Sequence, residues 1–230
     1  MTLGHGVWLN ERDIQRLAET GTCVCHNCSS NFRLRSGVAA LNKLEAAGIT
    51  TAIGIDEAGI NDDRDMLQEM RMVLRAHRVP GMDDEVPTPA QVFRMATSGG
   101  AATTPFADTI SALEVGRAAD VVLINWRDIS YPYLDAETPL LDAVLQRAKT
   151  SGVRTVICDG DVIYHDGQFT KVDRDGALAA LHEDLQRALS DDEVDRRRLS
   201  KSLLPHVRAL YANYFDPEQH APFYRQSSRQ

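Results

Sequence analysis

The chain has 230 residues, 43% of them hydrophobic, enough for one large or two modest domains whose cores need neither disulfides nor a structural metal to fold. Its 33 acidic residues against 25 basic ones give a formal charge of -8, which argues against nucleic acid or an anionic membrane as partner, because both are gripped by clustered Lys and Arg. Four cysteines, three of them nearly adjacent, do not make a secreted disulfide framework, and no apolar stretch is long enough for a signal segment or a membrane span, so a reduced, cytoplasmic setting is expected.

The first residues, "MTLGHGVWL", read as a strand running into a loop. Asn10 then caps a predicted helix with Ile14, Leu17 and Ala18 on one face and Gly21 as its stop. "TCVC" is a short buried strand and "HNCSSN" its loop. Ser36-Gly37 opens a second helix bearing Leu41 and Leu44, which ends at Gly48, and "ITTAIGI" is a third strand closed by Asp56. A third helix follows the acidic "NDDRD", with Met66, Leu67, Met70, Val73 and Leu74 as its buried stripe and Pro80-Gly81 as its end. Alternation of short apolar runs with amphipathic stretches is the pattern of parallel βα units, hence an α/β fold.

A helix over roughly 89–99 precedes a change of character. "ADVVLIN" reads as a strand, 138–149 as a helix, and "TVICDGDVIYHDG" as two strands joined by Asp159-Gly160, residues that tolerate the positive φ of a tight hairpin. Cys158 is expected in the core of that hairpin. Leucines at helical spacing predict two surface-packed helices between 175 and 215, then a loose tail. The expected division is 1–108, 109–172 and 173–230.

His5, His26 and Asp56 each stand at or just beyond the C-terminal end of a predicted parallel strand, the end that carries the active site of a βα barrel. Imidazole and carboxylate can bind zinc or iron and move a proton from bound water. A loop Asp can equally be a cap, and a single His can simply be satisfied by a hydrogen bond. The run "TCVCHNCSSN" offers another reading, a small zinc module on Cys23, Cys25, His26 and Cys28. Strand alternation puts Cys23 and Cys25 on one face and His26 on the other, and no second spaced pair follows.

"GHGVWL", "CHNCSSNFRLRSG", "GIDEAGINDDRDMLQEMR", "LEVGRAADVVLIN" and "VICDGDVIYHDG" together resemble the second half of an amidohydrolase-superfamily enzyme, from Leu3 to about Thr170. The similar branch contains cytosine and guanine deaminases, S-adenosylhomocysteine and methylthioadenosine deaminases and triazine chlorohydrolases. The resemblance implies a partial TIM (β/α)8 barrel, strands six to eight with their following helices, beside a small β unit and C-terminal helices. It implies one divalent zinc or iron ion in the complete enzyme and a ring heterocycle that loses ammonia or halide to metal-activated water. His5 and Asp56 take the catalytic positions, with Asp56 also a metal ligand. His26, Asn27 and Asn31 fall at substrate-binding positions, with Ser30 shaping the same loop, and Glu57 either meets a basic substrate group or faces solvent. Cys28 stands where the resemblance has proline.

The family's His-x-His pair occurs nowhere in the 230 residues, nor do its strand-five histidine and nearby glutamate have counterparts. The chain alone is therefore expected to hold its metal weakly or not at all and to be inactive, needing the missing N-terminal half or a homo-oligomer. The alternatives are a folded non-catalytic remnant, a partner-binding subunit, or the small zinc module above.

Overall fold

A computed structural model describes residues 1–57, 60, 63–78 and 87–212. They divide into two units, 1–168 and 169–212, each described by itself. The first holds both the βα part and the small β part expected from the sequence.

Three parallel strands organise the βα part: β1 (Thr2–Gly4), β2 (Cys23–His26) and β3 (Thr51–Ile53), in the order β1-β2-β3. Leu3 lies opposite Val24, and Cys25 opposite Ala52. Helix α1 (Glu11–Thr20) joins the first two strands. Asn10 accepts from the Asp13 N–H while the Asp13 carboxylate accepts from the Asn10 N–H, and Gly21 ends the helix at φ 62°. Ile14 on α1 packs with Val24 of β2, Leu44 and Ile49, so one face of the sheet is closed by helices.

The sequence reading of "HNCSSN" as a loop needs correction: after Asn27 the chain turns straight into helix α2 (Cys28–Arg33). Asn27 offers no side-chain cap; instead the Ser29 N–H donates to Glu69 from another helix, a tertiary bond that supplies what the local sequence lacks. Helix α3 (Leu41–Ala46) starts several residues after the expected Ser36-Gly37. Helix α4 (Met66–Ala76) has Asp65 as its cap, accepting from the Leu67 and Gln68 N–H groups. Met70, Val73 and Leu74 join Leu41, Ile53, Val92, Met95 and Leu145 in the main core. The Pro80-Gly81 stop lies outside the described residues.

Thr88 and Gln91 form a reciprocal cap on α5 (Pro89–Arg94), which passes through a π turn, Met95–Gly99, into α6 (Gly100–Ala102). Gly99 is required there, because a Cβ would collide with the Thr51 carbonyl of β3.

The small β part consists of β4 (Val121–Ile124), β5 (Val153–Cys158), β6 (Asp161–His165) and β7 (Gln168–Phe169) in sequential order, with antiparallel β4/β5 and β5/β6 pairs. Asp159 and Gly160 turn the hairpin at φ 50° and 83°. Cys158 is exposed, not part of the hairpin's core as expected. Two helices lie between β4 and β5: α7 (Trp126–Ser130), capped by Asn125, and α8 (Leu140–Arg147). Ile129 of α7 and Ala143 of α8 share a small core.

The second unit carries α9 (Arg174–Leu185) and α10 (Asp191–Tyr211), the latter with a reciprocal Ser190–Glu193 cap. The expectation of packed helices fails in one respect: neither has a buried residue, and Leu178, Leu181, Leu203, Leu204 and Val207 are all exposed.

Candidate active site at the strand ends

β1 and β3 each deliver one polar side chain just past their C-terminal ends, and the chain leaving β2 adds Ser30 and Asn31 from helix α2. The His5 N–H still donates to the Cys25 carbonyl at 2.8 Å, and the Gly54 N–H to the His26 carbonyl at 3.0 Å, so the ladder holds the chain firmly up to the point where it turns away. His5 and Asp56 both adopt left-handed backbone, φ 68° and 64°. For residues with a Cβ that conformation costs roughly 1–2 kcal/mol and marks over-determined positions.

His5, Asp56, Ser30 and Asn31 come together. The Ser30 hydroxyl donates to Asp56 Oδ2 at 2.6 Å, and the Glu57 N–H donates to Asp56 Oδ1 at 2.9 Å. The Ser30 bond above all, helped by the Glu57 N–H and the His5 ring, holds the Asp56 carboxyl below the ordinary aspartate value and outweighs the opposing effect of burial, which ranks second. His5 Nδ1 lies 2.8 Å from Asn31 Oδ1, and in that amide orientation Nδ1 carries the proton and donates. With the ring neutral, His5 Nε2 is an acceptor 3.5 Å from Asp56 Oδ2, and with the ring protonated the two are an ion pair. Two acceptors facing each other at that separation are suited to sharing a cation or a hydrogen of a bound water. Ser30 and Asn31 themselves are buried, and they come from α2, the helix that the sequence reading took for a loop.

The other expected residues lie elsewhere. His26 is fully buried, and Nε2 meets His77 Nε2 at 2.9 Å, the rings 4.9 Å apart and edge to face. A place for its ring beside substrate does not match that position. The reason is strand alternation: Val24 and His26 point to the helix-covered face, while Cys23 and Cys25 are half-buried on the other. Burial first, then the neighbouring rings, lowers His26 to about 3, and burial lowers His77 to about 4. Asn27 is almost wholly buried, its side chain against Gly54, where a Cβ would collide with it. Glu57 is exposed at the same strand end as Asp56.

Among the described residues, the donor cluster of metal-ligating type is His26, Cys28 and His77, not the Cys23/Cys25/His26/Cys28 set read from the sequence. Glu69 and His77 were missed. Both fall on the apolar stripe of α4 and its continuation, Glu69 three residues after Met66 and His77 four after Val73, and a charged or titratable residue on such a stripe is the signal that finds them.

For the zinc expected at Asp56, the donors present fit only in part. Asp56 and His5 are two groups, whereas a catalytic zinc takes three protein ligands.

The amidohydrolase family matches residues 1–163. A 5-methylthioadenosine/S-adenosylhomocysteine deaminase from Thermococcus kodakarensis is 36% identical over 161 residues, 70% of this chain and 37% of that protein. One from Desulforudis audaxviator is 37% identical over 185 residues, 80% of this chain and 42% of that one. Among solved structures, a zinc-bound adenosine deaminase from Xanthomonas campestris is 28% identical, covering 79% of this chain and 41% of that one, with a TM-score of 0.72. An atrazine chlorohydrolase from Arthrobacter aurescens TC1, complexed with zinc, reaches the same score at 23% identity over 79% of this chain and 40% of that one, a likeness of fold. The chain thus spans about two fifths of these relatives' length, and it belongs to the amidohydrolase family.

Proposed function

We propose that the chain supplies the strand-six to strand-eight part of a metal-dependent deaminase of aminated purine nucleosides or related ring heterocycles. β1, β2 and β3 are then three successive strands of a (β/α)8 barrel, and β1 and β3 each present an edge that is unpaired among the described residues. The observation that carries the reading is the network at the strand ends, in which Ser30 holds Asp56 and Asn31 holds His5.

Asp56 would be one ligand to the metal, and the remaining ligands would have to come from outside these 230 residues. A bound zinc ion supplies Lewis-acid activation of water. Asp56 remains ionised near neutral pH because Ser30 donates to it, and its carboxylate would serve as the proton acceptor at the strand ends. His5 Nε2, fixed by the Nδ1–H bond to Asn31, accepts from that water or from the substrate. Glu57, exposed beside the site, meets polar groups of the substrate's sugar or side chain.

The test is complementation. The chain is co-expressed with the portion of the Thermococcus kodakarensis deaminase that precedes its matched region, and ammonia release is followed from methylthioadenosine, S-adenosylhomocysteine and deoxyadenosine. The expected result is zinc-dependent release that Asp56→Asn lowers by about a thousandfold or more, with no turnover from the chain alone. Undiminished activity in Asp56→Asn would sink the assignment.

A further inference from the structure

Three donors of two chemical kinds converge in the core, on the helix-covered face of β2. One ring nitrogen of His26, one of His77 and Cys28 Sγ all lie within 4.8 Å of one another, and all three residues are buried. A hydrogen bond between the two Nε2 atoms, 2.9 Å apart, accounts for the rings but not for the thiol beside them. Next to Cys28, the Ser29 N–H donates to Glu69 Oε1, while Glu69 Oε2 is buried and has no partner among the described residues. Buried polar atoms are nearly always satisfied, so an open carboxylate oxygen close to a thiol and an imidazole pair points to a further occupant of positive charge.

We propose that His26, Cys28 and His77 form a second metal site, separate from Asp56, which takes a thiophilic cation, zinc(II), as the chain folds. Two imidazoles and a thiolate are a ligand set suited to that ion. Around zinc at the tetrahedral angle, with nitrogens at about 2.0–2.1 Å and sulfur at about 2.3 Å, the two nitrogens stand about 3.4 Å apart and each about 3.6 Å from the sulfur. The rings need to open by about 0.5 Å from the observed 2.9 Å, and the sulfur to draw in from no more than 4.8 Å, movements within the reach of side-chain rotation. On binding, the Cys28 S–H bond breaks and its proton leaves to solvent. The ring protonated at Nε2 moves that proton to Nδ1, three lone pairs go to the ion, and no electron is transferred. Glu69, bonded to the Ser29 N–H next to Cys28, lies outside that donor group and supplies an acidic neighbour rather than a ligand. This site does not depend on the deaminase reading, since none of its donors contributes to the strand-end network.

The full chain refolded with cobalt(II), and separately with zinc(II), tests the site by metal analysis after gel filtration, near-ultraviolet absorption and X-ray absorption. The expected result is one retained ion, a thiolate-to-cobalt charge-transfer band, and a shell of one sulfur and two imidazole nitrogens. Asp56→Asn is expected to keep all three, Cys28→Ser to lose the band, and His77→Gln to weaken zinc binding at least about tenfold. No retained ion, a band that survives Cys28→Ser, or an ion lost in Asp56→Asn overturns the proposal. So does a sulfur-free shell in the unaltered chain, a measurement that does not require the variants to fold.

Discussion

His5 and His26 leave adjacent parallel strands at almost the same height, yet they have opposite fates. His5 stands one residue past its strand, where left-handed backbone swings the ring to the open end, partly exposed and aimed at Asp56. His26 is the last residue within its strand, and alternation sends the ring under the helices to His77 with no exposed surface. A single residue of offset separates a ring available for chemistry from one committed to the interior. The comparison teaches that a titratable residue near a strand end must be placed by whether its backbone still follows the pleat as well as by its distance from the end.

That contrast can be broken by exchanging which property each residue supports. His26→Ala removes a buried ring and takes from His77 Nε2 the group it bonds, so it is expected to cost about 3 kcal/mol in urea unfolding of the metal-free chain. A loss under about 1 kcal/mol would remove the interior role given to His26. His5→Gln should do the reverse, changing stability by less than about 0.5 kcal/mol while lowering turnover of the complemented enzyme about a hundredfold.

Acid sharpens the comparison further. In chelator, His26 and His77 remain neutral in the fold down to about 3 and 4, whereas in the unfolded chain they take up protons below about 6.5. The unfolded state binds more protons across that window, so stability falls as pH falls from about 6.5 to 4, by up to about 1.4 kcal/mol per pH unit for each ring. Glu69, raised by burial, acts with the opposite sign above its unfolded value, and Cys28 stays protonated throughout. Two rings outweigh one carboxyl, and unfolding midpoints that are flat between pH 7 and 4.5 would contradict the neutral pair. The smallest effect is expected from Asn31→Ala, which frees His5 Nδ1 and should lower kcat about tenfold with little change in KM; an equal rise in KM would assign Asn31 to binding instead.

Much of the scaffold was legible because its signals are local. Asn10 and Gly21 bracket α1, the stripe from Met66 to Leu74 marks α4, and Asp159-Gly160 turns the hairpin, each through chemistry contained within a few residues. His5 and Asp56 were found as strand-end residues for the same reason. Helix α2 was hidden because Asn, Ser and Cys carry turn-like propensities, and the bonds that turn them helical come from Glu69, forty residues away from Ser29. His77 escaped notice because its partner is fifty-one residues distant. The leucines of α9 and α10 gave the right period but no information on what they would touch, and in the structure they remain exposed.

The left-handed backbone at His5 and Asp56 also determines which sequences can be sampled there. Asn and Gly enter that region at little cost, whereas Val, Ile and Thr are strongly disfavoured by their branched Cβ. A saturation library at either position would therefore lose its branched members through misfolding before any chemistry is assayed. Drift at these two codons would be channelled through Asn, Asp, His and Gly, a backbone-imposed alphabet from which His5 and Asp56 are themselves drawn.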